Sequence, residues 1–338
     1  MEYQCADRGT RRCPCHLIAA GQCYTCTMTR TGRCSCEEEA GWQGVCPYTE
    51  YMQQDETAVW EKPEPVSEVE VLRKIHYGGG FFTVRLSVPA GIAEACLRPG
   101  AYLMAEAVGC RMPLSVLRAE RHGRRGFVEI AVKATGPKTA ALTGYSLRQD
   151  RKIKSGSEAA VCREPAQWHI AGPYFNGLLH GELLELAAGE GKAGDIPVIC
   201  RGAAAVPFLA AQQFLKSSEI YFDDSALPEA FVCEYFSGIP FERVHLDREK
   251  DLRKMKKRLR DAADQKGRQN HLPLALLMVS PYYVQQLTEE LSEIQKCRLV
   301  IPNAASLCCG MGFCGSCSHT DGQGRTVRLC KCSPVVVE

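Results

Sequence analysis

The feature that most restricts this chain is a run of thiols near its carboxyl end, Cys309-Gly-Met-Gly-Phe-Cys314-Gly-Ser-Cys317, with Cys330 after twelve intervening residues. Cysteines spaced by four and then two residues let one tight loop wrap a [2Fe-2S] cluster while a distant fourth thiolate closes it. Gly310, Gly312 and Gly315 supply the backbone freedom and close approach that such a wrap demands. A structural zinc knuckle uses Cys-x2-Cys twice over, so the four-residue spacing favours the cluster. Cys309, Cys314, Cys317 and Cys330 are the expected ligands, with Cys332 competing for the fourth position and Cys308 beside the first. An iron-sulfur domain over 297–338 follows.

The chain carries 20 cysteines in 338 residues, and a second group of eight lies at the amino end. Cys13-x-Cys15, Cys23-x2-Cys26 and Cys34-x-Cys36 form pairs, with Cys5 and Cys46 outside them. In a reducing compartment clustered thiols read as metal ligands rather than disulfides. Eight thiols suffice for two four-ligand sites, and a segment this poor in aliphatic runs needs such a staple to fold. Zinc and a second iron-sulfur cluster both satisfy the spacing, and His16 is a further candidate ligand. Cys96, Cys110, Cys162, Cys200, Cys233 and Cys297 stand alone and are expected in cores, where free cysteine acts as a small hydrophobe.

Between the two groups the pattern changes once. The Cys-rich segment, 1–62, ends in Glu-Lys-Pro-Glu-Pro, a linker. From 66 to 165 strand signals dominate: Phe82, Val84, Leu86 and Val88 alternate with polar residues, as do Val128, Ile130 and Val132, with Gly78 to Gly80, Pro99-Gly100 and Gly123 as turns. That predicts a small antiparallel β-barrel. From 166 to 296 short buried runs at 196–200, 220–222, 244–246 and 274–279 alternate with helical stretches at 207–216, 228–236, 249–264 and 282–295, which predicts a Rossmann-like parallel α/β domain. In the 249–264 stretch, Leu252, Met255 and Leu259 form a narrow stripe on a mostly solvated helix. A net charge of +2 gives no nucleic-acid footprint. The chain has no apolar run long enough to span a bilayer and no apolar leader, so no membrane association and a cytoplasmic location are expected.

Four motifs then occur in order: Arg98-Pro99-Gly100-Ala101-Tyr102, Arg111-Met112-Pro113-Leu114-Ser115, Gly172-Pro173-Tyr174-Phe175-Asn176-Gly177, and the carboxyl-terminal cysteines. Over 66 to 332 they resemble the electron-transfer subunit of dihydroorotate dehydrogenase B, within the ferredoxin reductase-like flavoproteins. The resemblance implies FAD, contacted by Arg111, Pro113, Leu114 and Ser115, by Gly136 and Thr139 at a following helix start, and by Gly172 and Asn176. The chemistry is sensible: a guanidinium fork at Arg111 suits a pyrophosphate, the Ser115 hydroxyl adds a hydrogen bond, and a helix start favours anions. It also implies electron transfer from flavin to cluster and onward to a companion flavoprotein oxidoreductase, with no residue needed as general acid or base. The amino-terminal segment lies outside it.

The nucleotide half departs from the family pattern. Its first strand is followed by Arg201-Gly-Ala-Ala-Ala-Val-Pro207 in place of a Gly-rich loop, so alanine methyls crowd the phosphate approach. Val279-Ser280-Pro281-Tyr282-Tyr283 replaces the Cys-Gly-Pro of relatives on the nicotinamide side. Both changes argue against direct NAD(P)H use, although Arg201 offers a phosphate partner and Asp223 a ribose acceptor. Two rival readings remain open: a self-contained NAD(P)H-dependent reductase, and a zinc-stabilised interaction protein with a decayed flavin site.

Overall fold

The computed structural model describes residues 2–5, 67–107, 110–134, 137–144, 160–162, 167–189, 196–215, 219–266, 273–303, 307, 317–320, 326–330 and 332–335. Most of the amino-terminal thiols (Cys13, Cys15, Cys23, Cys26, Cys34 and Cys36) fall outside them, as do Gly136, Cys309 and Cys314. Strand β1 (Glu2–Cys5) pairs antiparallel with the final strand, Cys332–Val335.

The barrel is built from β2 (Ser67–Gly78), β3 (Phe81–Pro89), helix α1 (Ala90–Ala95), β4 (Tyr102–Ala107), β5 (Cys110–His122), β6 (Arg125–Lys133), helix α2 (Pro137–Thr143), β7 (Ala160–Cys162) and β8 (Gln167–Tyr174). Strand order is β3-β6-β5-β4-β8-β2-β7, and a β3–β2 pairing closes the sheet on itself. Closure of the six strands β2, β3, β4, β5, β6 and β8 removes the free edges that an open sheet would expose, with short β7 appended to β2. The period-two pattern has the expected consequence. Val84, Leu86, Val88, Val128, Ile130 and Val132 turn inward and pack with Leu103, Leu114 and Ile170. The barrel runs further than 165, because β8 pairs with both β4 and β2.

The second unit comprises β9 (Leu178–Leu179), α3 (Glu182–Gly189), β10 (Val198–Arg201), a 3-10 turn (Gly202–Ala205) leading into α4 (Val206–Ala211), β11 (Ile220–Asp223), α5 (Glu229–Phe236), β12 (Glu242–Arg243), α6 (Glu249–Lys266), β13 (Ala275–Met278), α7 (Pro281–Thr288), α8 (Glu293–Lys296) and β14 (Leu299–Pro302). The order β12-β11-β10-β13-β14-β9 is parallel except at β9. Two expectations shift. The strand at 244–246 forms at 242–243, leaving Val244 and Leu246 buried beside it. The helix over 282–295 is two helices, because Ser292 and Gln295 form a capping box that starts the second. The α6 stripe is wider than Leu252, Met255 and Leu259, since Ala262 and Ala263 extend it into the core beneath Leu274 and Leu277.

Aromatic residues join the two units. Tyr77 and Phe81 on the barrel's outer surface meet Phe231 at centroid separations of 5.4 and 4.6 Å. The Tyr77 hydroxyl donates to Glu234 at 2.6 Å. Burial, reinforced by that carboxylate, drives the phenol's pKa far up. Each such ring is worth about 1.5–3 kcal/mol when removed from water, so the cleft between the units has a firm base.

The last strands are a hairpin of β15 (Ser318–Thr320) with β16 (Thr326–Arg328), followed by β17 (Cys332–Val335). Of the isolated cysteines, Cys96 and Cys200 are in cores; burial pushes Cys96 up to about 12 and raises Cys200 as well. Cys233 is not in a core: it lies exposed on the outer side of α5, whose inner side is already filled by Phe231, Tyr235 and Phe236, and the Cys110 and Cys162 side chains lie outside the described residues. Cys297 is half-buried. Among the described residues, no helix is long and apolar enough to cross a membrane.

Candidate functional site

A cleft of about 500 Å³ opens between barrel and α/β unit, within the usual range for small-molecule sites. One wall is Pro113, Leu114 and Ser115 of β5, with Lys133 at the end of β6 and Thr139 in the first turn of α2. Three of these residues come from the Arg111–Ser115 motif and one from the segment after the barrel strand, so folding brings the two together. Strand alternation explains the presentation, since Met112, Leu114 and Val116 belong to the barrel core and leave Pro113 and Ser115 outside, so that Leu114 borders the cleft from the core side. Arg111 stands on the same strand opposite Glu106, and its side chain lies outside the described residues. Apolar walls, two hydroxyls and one ammonium suit a flat aromatic ring carrying phosphates, so these residues fit FAD. Lys133 is a lining cation that the motif reading did not single out.

The opposite wall carries Ala203 and Ala204, Arg201 and Tyr283. Here the expected nucleotide contacts are already committed. The Asp223 carboxylate is fully buried and accepts from Leu246 N at 2.8 Å, Ser225 N at 3.2 Å and Ser225 Oγ at 2.5 Å. Arg201 Nε lies 3.0 Å from Asp223 Oδ2 without pointing its hydrogen there, so charge rather than an aligned hydrogen bond holds the pair. The rest of that guanidinium donates to Asp247 and to the Tyr283 hydroxyl, which itself donates to Asp247, and the guanidinium stacks on the Tyr283 ring at 4.7 Å. Burial and Asp247 push the Tyr283 phenol up to about 12. Asp223 is thereby held as a turn and core residue, and Arg201 is held between two carboxylates.

Two of the four expected cluster thiols are described, and they meet. Cys317 and Cys330 are 3% and 2% exposed, and the Cys330 amide nitrogen is 3.4 Å from Cys317 Sγ. They pack against Tyr102, Met104, Tyr174 and Leu307. A buried pair of thiols with a main-chain amide directed at one sulfur is compatible with thiolate ligation, although among the described residues no group of three or more ligating side chains is assembled. Cys332 lies beyond this pair, opposite Cys5 in the β1–β17 ribbon.

Tyr102 and Met104 link the two places. In the β4–β5 ladder Tyr102 is directly opposite Ser115, and Met104 is opposite Pro113. Opposed residues share one face of an antiparallel pair, with Cβ atoms about 4.5–5.5 Å apart. The side of the barrel that presents Ser115 to the cleft thus presents Tyr102 to the thiols, one strand away.

Gly172 and Asn176 do not line the cleft. Gly172 has φ +114°, and Asn176 is buried with its Nδ2 donating to the Leu329 carbonyl at 2.8 Å. Their segment is a joint between units. Gly177 N donates to Gly100 O at 2.9 Å, and Asn303 N to Gly177 O at 2.8 Å. A Cβ on Gly177 would meet Gly100 O at 2.6 Å, so only glycine permits this approach. Asn303 carried no sequence signal, being one asparagine after a short strand.

No protein-family model and no curated protein matches this chain. Solved structures similar to it include an NADH-dependent reduced ferredoxin-NADP oxidoreductase studied for flavin-based electron bifurcation, at 16% identity over 79% of this chain and 87% of that one, TM-score 0.45. The ferredoxin reductase in carbazole 1,9a-dioxygenase is 16% identical over 72% and 71%, with TM-score 0.44. A ferredoxin NADP+ reductase from Neisseria gonorrhoeae with bound FAD and NADP is 14% identical over 67% and 90%, with TM-score 0.39. At that level of identity and superposition these likenesses carry no argument about ligand or activity.

Proposed function

We infer that this chain is a ferredoxin reductase-like electron-transfer flavoprotein, of the type that serves dihydroorotate dehydrogenase B, relaying electrons between FAD and a [2Fe-2S] cluster and onward to a companion oxidoreductase. The observation that carries the reading is the β4–β5 ladder, where Ser115 of the cleft and Tyr102 of the thiol pocket are opposed neighbours. In this reading Pro113, Leu114 and Ser115 seat the flavin ring, and Arg111, Lys133, Gly136 and Thr139 meet its phosphates. Cys309, Cys314, Cys317 and Cys330 hold the irons. When bound, FAD exchanges electrons in pairs and the cluster singly, and that chemistry belongs to the cofactors. The chain's own part is to keep them close and dry: the Tyr102–Tyr174 stack, centroids 5.3 Å apart, roofs the buried thiols. The thiols Cys13, Cys15, Cys23, Cys26, Cys34 and Cys36 would hold either a structural zinc, which carries no electrons, or a second cluster that joins the relay.

The Arg201–Asp223–Asp247–Tyr283 lattice favours a partner over NAD(P)H as the flavin's electron source, because it occupies the groups that would receive the nucleotide. Stopped-flow mixing of the flavin-loaded chain with NADH or NADPH tests this. No fast bleaching is expected. Bleaching on the millisecond scale would make the chain a self-contained reductase instead.

A further inference from the structure

The side-chain amides of two asparagines from different units converge on one main-chain oxygen. Asn176, at the end of the barrel's last strand, and Asn303, just past β14 of the α/β sheet, each place Nδ2 2.8 Å from the Leu329 carbonyl. Asn303 Nδ2 also donates to Asn176 O at 2.9 Å, so both its protons are used and the network fixes how the amide is turned. Leu329 in turn donates its N–H to Cys317 O at 2.9 Å, and the next amide, that of Cys330, is the one 3.4 Å from Cys317 Sγ. A carbonyl has two lone pairs, and here both are taken by donors on different units. The peptide plane before Cys330 is thereby held from the barrel and from the sheet together. Asn303 meanwhile leaves its Oδ1 buried with no hydrogen-bond partner among the described residues. Such an orphan is a cost that an apolar side chain would avoid, so the Nδ2 contacts are what the residue supplies.

We propose that Asn176 and Asn303 are positioning residues for the cluster, acting through the Leu329 carbonyl to keep the Cys330 amide aimed at the Cys317 sulfur. The proposal rests on the [2Fe-2S] reading above. An N–H aimed at a ligating sulfur stabilises the extra negative charge of the reduced cluster, so it raises the reduction potential. Loss of the clamp frees the peptide to rotate and lowers the potential. Because both amides act on one oxygen, their effects should not add.

The test is EPR-monitored potentiometry of the full chain, purified anaerobically, as wild type, Asn176→Ala, Asn303→Ala and the double variant, with Asn303→Leu as a change of similar size that removes the donors without adding a charge. Each single change should shift the one-electron equilibrium about tenfold toward the oxidised form, which is about 59 mV, and the double variant should shift it by less than the sum. An unchanged potential in folded variants, with only a lower urea midpoint, would overturn the proposal and leave the asparagines a purely structural role. Should the alanine variants fail to fold, pulsed EPR of the reduced wild type after transfer to D2O decides. A slowly exchanging amide proton coupled to the cluster is expected, and its absence refutes the clamp. A wild type lacking any two-iron signal would instead overturn the cluster reading itself, a separate outcome.

Discussion

Replacing Arg201 by alanine is the sharpest perturbation of the nucleotide half. Asp223 has no solvent exposure, and Arg201 is the cation beside it, at 3.0 Å. Breaking a buried pair by deleting one partner costs about 3–5 kcal/mol, because the other charge is left uncompensated. Asp223 keeps three donors, from Leu246 and Ser225, and the Arg201 side chain is 19% exposed, which places the expected loss near the lower end, about 3 kcal/mol. Asp223→Asn removes the charge and keeps the shape. Arg201, still beside Asp247 and partly in water, tolerates that better, so the expected loss is about 1–2 kcal/mol. The Arg201→Ala/Asp223→Asn double variant should then be at least as stable as Arg201→Ala alone, which requires a coupling no smaller than the roughly 1–2 kcal/mol that Asp223→Asn costs by itself. Urea unfolding of the four proteins, followed by far-UV circular dichroism, measures this. A loss below about 1 kcal/mol for Arg201→Ala, or a double variant weaker than that single one, would refute the idea that this guanidinium is a structural counter-ion.

Three further outcomes are expected. Gly177→Ala drives a methyl into Gly100 O and should cost about 2–3 kcal/mol of overpacking, seen as a lower urea midpoint; a stability equal to wild type would remove the case for a tight joint. Ser115→Ala deletes a cleft hydroxyl and should weaken flavin retention by about 1 kcal/mol, read as the dissociation constant from fluorescence of released flavin; unchanged retention would take Ser115 out of the site. Burial holds the His180 imidazole down to about 4, while an unfolded histidine titrates near about 6.5. The unfolded chain therefore gains the proton first as pH falls, and stability is lost between those two values, by up to about 3 kcal/mol. The Glu182 carboxylate, 3.9 Å away and itself raised by desolvation, offsets part of this. His180→Asn, which tolerates the local φ of +59°, should flatten the difference between urea midpoints at neutral and mildly acid pH; an undiminished difference would assign it to other groups.

The barrel and the parallel sheet were legible because burial there follows strict local periods. Val84, Leu86 and Val88 face one core as their alternation requires, and β10, β11 and β13 are apolar runs buried on both faces. Contacts between units were not legible. Tyr77 and Phe81 carry no sequence signal of their own, and nothing local announces that they close on Phe231. The same limit separates the site residues. Pro113, Ser115 and Thr139 come to one cleft as their motifs imply. Asn176, read from a motif, faces the cysteine loop instead, because its direction depends on a peptide 153 residues away. The strand-end position of Asp223 allowed either a ribose acceptor or a plain turn residue, and its contacts with Arg201, Leu246 and Ser225 depend on residues that only the fold brings near it. Cys233 was misplaced because a helix has two faces and an isolated cysteine does not reveal which one it occupies.

The most direct test of the relay is a count of iron, acid-labile sulfide and flavin on anaerobically purified chain, joined to EPR of the reduced sample. A reducible two-iron signal together with stoichiometric FAD is the predicted result, with any iron beyond two per chain belonging to the amino-terminal thiols. Zinc without iron or sulfide, in a preparation colourless at flavin wavelengths, would contradict it.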